Sequence, residues 1–200
     1  MVPKSTPPTS AILNTMIRAI LFDYYGVLRP DTYQQWLDAH GLIRTGVFQT
    51  LSEKVDANII STEDFFESLS TLTDIDSETI RNEFSNTPLV DDSVHALLSK
   101  LKASYSLGLI SNGSIRTRDR LNTDKLASYF DAIIISAEVG KIKPDPAIYY
   151  AALTQLNASV EEVIYIDDSA TNIEAAQKLG FISIHFTDIK KLDSELSRIL

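Results

Sequence analysis

The run Arg18-Ala19-Ile20-Leu21-Phe22-Asp23-Tyr24-Tyr25-Gly26-Val27-Leu28 decides how the rest of the chain is read. Ala19 to Phe22 is a short apolar segment of the kind that forms a strand buried on both faces, and it ends on a carboxylate. Gly26 then permits a sharp turn and a close approach of main chain to a ligand. In open α/β sheets ligands bind outside the carboxyl ends of the strands, where Asp23 would lie. Taken alone, Asp23 is equally well a cap for whatever follows, so the choice depends on the downstream sequence.

The chain has 200 residues, enough for one core with a small inserted subdomain. Apolar content of 44% and charged content of 22% are those of an ordinary globular protein. With 27 acidic against 18 basic residues the net charge is −9, which argues against nucleic acid or an anionic membrane as partner. A small anionic substrate stays compatible where a bound cation inverts the local field. There is no cysteine, so disulfides, thiolate metal sites and cysteine nucleophiles are excluded, and a reducing, cytoplasmic location is expected. No apolar run approaches the roughly 18 residues of a membrane span. Residues 1–15 carry Pro3, Pro7 and Pro8 among Ser and Thr, lack the apolar centre of a secretory signal, and read as a flexible tail. Met16, just before the first strand, offers an alternative start.

From residue 30 to 88 the pattern is helical throughout. Tyr33, Trp36 and Leu37, then Val47, Phe48, Leu51 and Val55, recur at helical spacing. Ser61-Thr62-Glu63-Asp64 resembles a helix start ahead of Phe65, Phe66 and Leu69, and Asp76 or Ser77 would cap a fourth helix carrying Ile80 and Phe84. Strand and helix then alternate. A helix follows Asp91; strands are expected over 105–110, 132–135, 163–166 and 181–185. Helices are expected over 115–126, from Pro146 to about Leu156, and from Thr171 to Leu179. The fold class is therefore a doubly wound parallel α/β sheet. The expected division is a tail over 1–15, an α/β core over 16–29 and 89–200, and a helical subdomain over 30–88 inserted after the first strand. That insertion would sit over the carboxyl edge of the sheet as a lid.

Four polar clusters punctuate this order: Asp23, Ser111-Asn112-Gly113, Lys141-Ile142-Lys143-Pro144 and Asp167-Asp168. Three of them directly follow an expected strand, which brings them to one sheet edge. Singly, the aspartates are as well read as caps, the Ser-Asn-Gly run as a turn and Lys143 as a surface charge. Together they form one chemical set. Asp23 with Asp167 and Asp168 would repel unless a hard cation lay between them, and Mg²⁺ suits all-oxygen ligands. Ser111, nearby backbone N–H groups and Lys143 would hold the remaining oxygens of a phosphoryl group. Asp23 could then attack phosphorus in line, giving an aspartyl phosphate that water breaks.

On Leu21-Phe22-Asp23-Tyr24-Tyr25-Gly26-Val27-Leu28, Leu109-Ile110-Ser111-Asn112-Gly113, Lys143-Pro144-Asp145-Pro146-Ala147-Ile148-Tyr149 and Ile166-Asp167-Asp168-Ser169-Ala170-Thr171-Asn172, the chain resembles the haloacid dehalogenase-like hydrolase superfamily. Most members are Mg²⁺-dependent phosphatases with a Rossmann-like core. The resemblance implies Asp23 as nucleophile and Ser111 and Lys143 as ligands of the transferring group. It implies Mg²⁺ held by Asp23, the backbone carbonyl of Tyr25, and Asp168 with Asp167 beside it. Asn112 and Gly113 join the substrate-binding set, and residues 30–88 correspond to the small cap.

One departure matters. Family phosphatases usually carry a second aspartate two residues after the nucleophile as general acid and base, and here Tyr25 stands there. A phenol with pKa near 10 stays neutral at pH 7 and does not readily take a proton from water. Tyrosine at this place resembles the 2-haloacid dehalogenases, whereas Asp167-Asp168-Ser169 with Asn172 resembles the metal-dependent phosphatases. The metal cluster weighs more. The leading expectation is a phosphohydrolase of a small phosphorylated molecule that favours leaving groups needing little protonation, such as acyl or aryl phosphates. A dehalogenase is one alternative. A regulatory protein that binds phosphate without turnover is another.

Other residues are discounted. Trp36, Tyr33 and His40 read as bundle core or rim. Arg29 and Arg44 are cations near the mouth that would read a second anionic group or simply be exposed. His95 and His185 lack partners at ligand or triad spacing. Arg116, Arg118 and Arg120 read as a solvated helix face, and Glu138 would orient Lys143.

Overall fold

Every residue of β1 (Ala19–Phe22) is buried, and the reason is its place at the centre of the molecule. The computed structural model describes residues 16–200; the tail expected over 1–15 lies outside them. After β1 come five helices, α1 (Thr32–Ala39), α2 (Val47–Asp56), α3 (Thr62–Thr73), α4 (Ser77–Ser85) and α5 (Asp92–Lys102). Alternation follows: β2 (Ser106–Ser111), α6 (Thr117–Thr123), β3 (Ala132–Ile135), α7 (Ser136–Val139), α8 (Pro146–Leu156), β4 (Val163–Asp167), α9 (Ala170–Leu179), β5 (Ile182–His185) and α10 (Ile189–Ile199).

The five strands form one parallel sheet of order β3-β2-β1-β4-β5. Ala19 lies opposite both Ser106 and Val163, and Phe22 opposite Leu109 and Ile166. Strand order reverses at β1, so a crevice opens at the carboxyl ends of β1, β2 and β4. Asp23 N–H donates to the Ile166 carbonyl at 2.9 Å, which carries the ladder one residue past the strand.

Successive residues of β1 feed opposite layers, as the two-residue period of a strand requires. Ile20 and Phe22 pack with apolar residues of α5 and α10, while Ala19 and Leu21 pack with those of α8 and α9. In β2, Gly108 lets α8 come close: a Cβ there would stand 2.9 Å from Leu21 Cδ1 and 3.0 Å from Leu156 Cδ1.

Helices α1 to α4 enclose a separate apolar cluster containing Tyr33, Trp36, Leu37, Leu51, Val55, Phe65, Phe66, Leu69 and Ile80. Phe84 stacks among Tyr33, Trp36, Phe65 and Phe66, with ring centroids 5.2 to 6.2 Å away. Tyr33 and Trp36 are thus bundle core. Trp36 Nε1–H satisfies its polar edge on Glu83 at 2.7 Å, and His40 meets the same carboxylate at 3.1 Å. The helix starts follow side-chain caps from Asp31, Ser61, Asp76 and Asp91, the second as a full capping box with Asp64.

The two segments joining this bundle to the sheet are tied together under a buried ion pair. Arg29 Nη1 donates to Asp124 Oδ2 at 2.6 Å, and Nη2 donates to Thr87 Oγ1 at 2.8 Å and the Pro88 carbonyl at 3.3 Å. The Tyr24 hydroxyl donates to the same Asp124 oxygen at 2.5 Å. Arg29 is therefore a clasp between stems, not a cation at the mouth.

One helix bound needs correction. The helix expected over 115–126 is only α6, because Lys125 takes a left-handed turn (φ 57°) that directs Leu126 into the core. Beyond the last strand, β5, a further helix follows. Asp188 caps α10, whose Leu192 and Leu196 close one face of the sheet. Among the described residues no helix is long and apolar enough to cross a membrane.

Candidate active site

Asp23 follows β1 because the strand's apolar run ends there, and its Oδ1 accepts from Tyr24 N–H at 2.7 Å. Lys143, from the loop before α8, reaches under the sheet edge. Its ammonium lies 2.8 Å from Asp23 Oδ1 and 2.7 Å from Asp167 Oδ2. Asn112 holds the lysine by its main chain, accepting from Lys143 N–H at 2.7 Å and donating to its carbonyl at 3.0 Å. Three strand ends and the loop after α7 thus converge on one point.

Asp167 is wholly buried and heavily bonded. Besides Lys143 it accepts from the Tyr165 hydroxyl, from Ser169 N–H at 2.8 Å, and from Asn172 Nδ2 at 3.1 and 3.2 Å. Asp168 is exposed, and its loop is held by His185, whose Nε2–H donates to the Asp168 carbonyl at 2.8 Å. Asp23, Asp167 and Asp168 each bring a carboxylate oxygen within 4.8 Å of the other two.

Electrostatics follow from this crowding. Burial pushes the Asp23 carboxyl up to about 8; the nearby Asp167 and Asp168 add to the rise, while Lys143 opposes it. Burial works against the charge on Lys143, yet Asp167 and Asp23 outweigh it and push its pKa upward. Asp168 is also raised, first by burial and then by Asp167. Three carboxylates around one ammonium leave an excess of negative charge, and the donors are all oxygen. That set fits a hard divalent cation.

Gly26 makes the approach possible. At φ 93° it turns the loop so closely against Asp168 that a Cβ would overlap that carboxylate. Gly26→Ala is expected to displace Asp168 and weaken the binding of any divalent cation held by these carboxylates, read as a smaller rise in Tm on adding Mg²⁺.

The remaining sequence-derived candidates divide. Tyr25 lines the cleft, its ring 4.6 Å from that of Tyr24, and burial raises its phenol pKa further. Ser111 is at the end of β2 but fully buried, with one long contact of 3.4 Å to the Asn112 carbonyl. Gly113 N–H is already engaged by Ser136 Oγ at 2.9 Å. Glu138 does not orient Lys143; it forms a two-bond pair with Arg118, both at 2.7 Å.

Above these residues lies a cleft of about 560 Å³ between sheet edge and bundle. The bundle contributes Gln34, Arg44, Gln49, Ser52, Glu53 and Asp56, and Asp31 from the segment before α1. Arg44 does face this mouth, paired with Asp31 at 2.7 Å. Asp56 escaped the sequence reading. His185, discounted there for want of a partner, instead donates to the Asp168 carbonyl from the end of β5.

The family model described as haloacid dehalogenase-like hydrolase matches residues 32–186. Rat bifunctional epoxide hydrolase 2 is 36% identical over 75 residues, 38% of this chain and 14% of that protein. The phosphorylated carbohydrates phosphatase of Thermotoga maritima is 37% identical over 67 residues, 34% of this chain and 31% of that one. The chain therefore spans well under half the length of these curated relatives. A HAD family enzyme of Bacteroides thetaiotaomicron, solved with magnesium and inorganic phosphate, superposes with TM-score 0.65 at 20% identity, covering 88% of this chain and 98% of that one. With that match over most of its length, a five-stranded parallel sheet and its acidic cleft, the chain belongs to the haloacid dehalogenase-like hydrolase family.

Proposed function

We propose that this protein is a Mg²⁺-dependent phosphohydrolase of a small phosphorylated molecule, with Asp23 as nucleophile. The observation that carries the reading is the Asp23, Asp167 and Asp168 trio with the Lys143 ammonium bonded into it at the mouth of the cleft. Asp23, Asp168 and the Tyr25 carbonyl would hold the ion; Asp167 contributes less directly, because its oxygens already serve Lys143, Tyr165, Ser169 and Asn172. Bound there, Mg²⁺ supplies charge neutralisation for the phosphoryl oxygens.

The chain's own residues do the rest. Asp23 attacks phosphorus in line and becomes an aspartyl phosphate. Lys143 steadies the attacking carboxylate and faces the transferring group. Of the three β2-loop candidates, Ser111 keeps donor capacity for a phosphoryl oxygen, since its one contact is long. Asn112 acts through Lys143, and Gly113 through a close turn under Tyr25. The magnesium and phosphate in the Bacteroides enzyme and the phosphatase activity named for the Thermotoga relative support the reading. A cytoplasmic setting goes with it.

Tyr25 sets the substrate preference. Its raised phenol pKa makes it a poor proton donor to a leaving oxygen, so acyl and aryl phosphates should turn over faster than alkyl phosphates. The test is phosphate release from acetyl phosphate and from a simple sugar phosphate, with and without Mg²⁺, by wild type and Tyr25→Asp. Acetyl phosphate should be favoured by wild type, and the gap should narrow in the variant. Equal rates on both, untouched by the substitution, would reject the leaving-group idea. Metal-independent halide release from a 2-haloacid would instead favour the dehalogenase reading that Tyr25 alone invites.

A further inference from the structure

We infer that Asp56, carried by the last turn of α2, performs the proton transfer that Tyr25 cannot: it takes the proton from the water that cleaves the Asp23 phosphate. The inference rests on the phosphohydrolase reading and extends it to the second half of the reaction.

Three observations place Asp56 for this task. It lines the cleft together with Asp23, Tyr25 and Lys143, although it belongs to the helical bundle. Its main chain is docked on the core: Ser136 Oγ donates to the Asp56 carbonyl at 2.6 Å, which fixes the end of α2 against the start of α7. Its carboxylate is uncommitted. Among the described residues no group donates a hydrogen bond to it, whereas the other acids on the bundle side of the cleft are engaged. Asp31 accepts from Arg44 and from Gln34 N–H, and Glu53 accepts from Gln49. Partly exposed on the cleft wall, that carboxylate has its lone pairs open to a water or ligand in the cleft.

The charges facing Asp56 suit a group that exchanges protons near neutrality. Arg44 and Asp31 face it from the α1–α2 side, Glu53 from its own helix, Tyr33 from α1, and Tyr25 and Lys143 from the core. Burial raises its pKa to about 7; Asp31 and Glu53 add to the rise, and Arg44 and Lys143 oppose it. A general base works best with a pKa close to the operating pH.

The step balances. Water attacks phosphorus while Asp56 accepts one of its protons; the bond from Asp23 to phosphorus breaks, freeing the Asp23 carboxylate and inorganic phosphate. The protonated Asp56 then gives that proton up to solvent through the open cleft before the next turnover.

The experiment uses the full chain with Mg²⁺ and ³²P-labelled acetyl phosphate, quenched in acid, comparing wild type, Asp56→Asn, Asp56→Glu and Asp23→Asn. Asp56→Asn is expected to trap label on the protein, to near one per chain, and to slow turnover by about 10²–10⁴-fold. It should also lose the rise in rate that wild type shows as pH passes 7. Asp56→Glu should recover part of the rate, which a collapsed fold would not. Turnover by Asp56→Asn close to wild type, or a fall without trapped label, would overturn the inference while leaving Asp23 as nucleophile. Absence of phosphate release from wild type itself, or label retained by Asp23→Asn, would instead reject the phosphohydrolase reading beneath it.

Discussion

Asp23→Asn is expected to reduce phosphate release on the order of 10⁴–10⁶-fold, the scale seen when a covalent nucleophile is removed, and yet to leave the metal-free fold no less stable at neutral pH. The second half follows from where the carboxyl sits. In the folded, metal-free chain Asp23 keeps its proton up to about pH 8, whereas a free aspartate releases it near 3.8. Between those values the unfolded chain binds fewer protons than the folded one, so this group's contribution falls as pH rises from about 4 to 8. Asparagine cannot lose a proton, so the decline disappears. Lys143 keeps Asp167 at 2.7 Å as its partner. Denaturant unfolding in a chelator at pH 5 and pH 8 checks this: the variant should gain on wild type at the higher pH. A variant less stable at both values would show that the Asp23–Lys143 pair outweighs the burial of the charge.

Asp124→Ala should do the opposite, harming the fold first. The Arg29 and Asp124 side chains are essentially sealed from solvent, 1% and 0% exposed, and alanine would strand the guanidinium without its anion. Removing one member of a buried pair costs about 3–5 kcal/mol, which lowers Tm by about 6–20 °C in a chain of this size. Thermal unfolding reads this directly. The double variant Arg29→Met, Asp124→Leu should recover most of the loss, because apolar groups of similar volume need no partner. Because Arg29 also reaches Thr87 and Pro88, the single variant should loosen both stems of the helical insertion. A loss far below that range would mean that Thr87, the Pro88 carbonyl and entering water satisfy the Arg29 guanidinium without its anion.

Much of this architecture is legible along the chain because strand ends coincide with chemistry. Ala19–Phe22, Ala132–Ile135 and Val163–Asp167 stop where polar residues begin, and caps such as Asp91 and Ser61 mark helix starts. Tertiary facts are not written locally. The run 115–126 reads as one helix, yet the turn at Lys125 that ends it goes with the core that Leu126 enters. Asp167 and Asp168 look equivalent side by side, but alternation sends the first inward to Lys143 and leaves the second exposed. Asp56 has no motif around it, since what distinguishes it is the docking of α2 on the start of α7, eighty residues away. Helix α10 does carry a local signal, Asp188 as cap ahead of Leu192 and Leu196 at helical spacing.

The Ser136 hydroxyl has a single proton and two carbonyls within reach, Asp56 at 2.6 Å and Gly113 at 3.2 Å. Both acceptors compete for that one proton, and the Gly113 carbonyl belongs to the sheet-edge loop. Loss of the Asp56 contact would leave the hydroxyl with a partner and only the Asp56 carbonyl to be met by water. The seam between bundle and core is thus built so that parting it need not strand a buried donor.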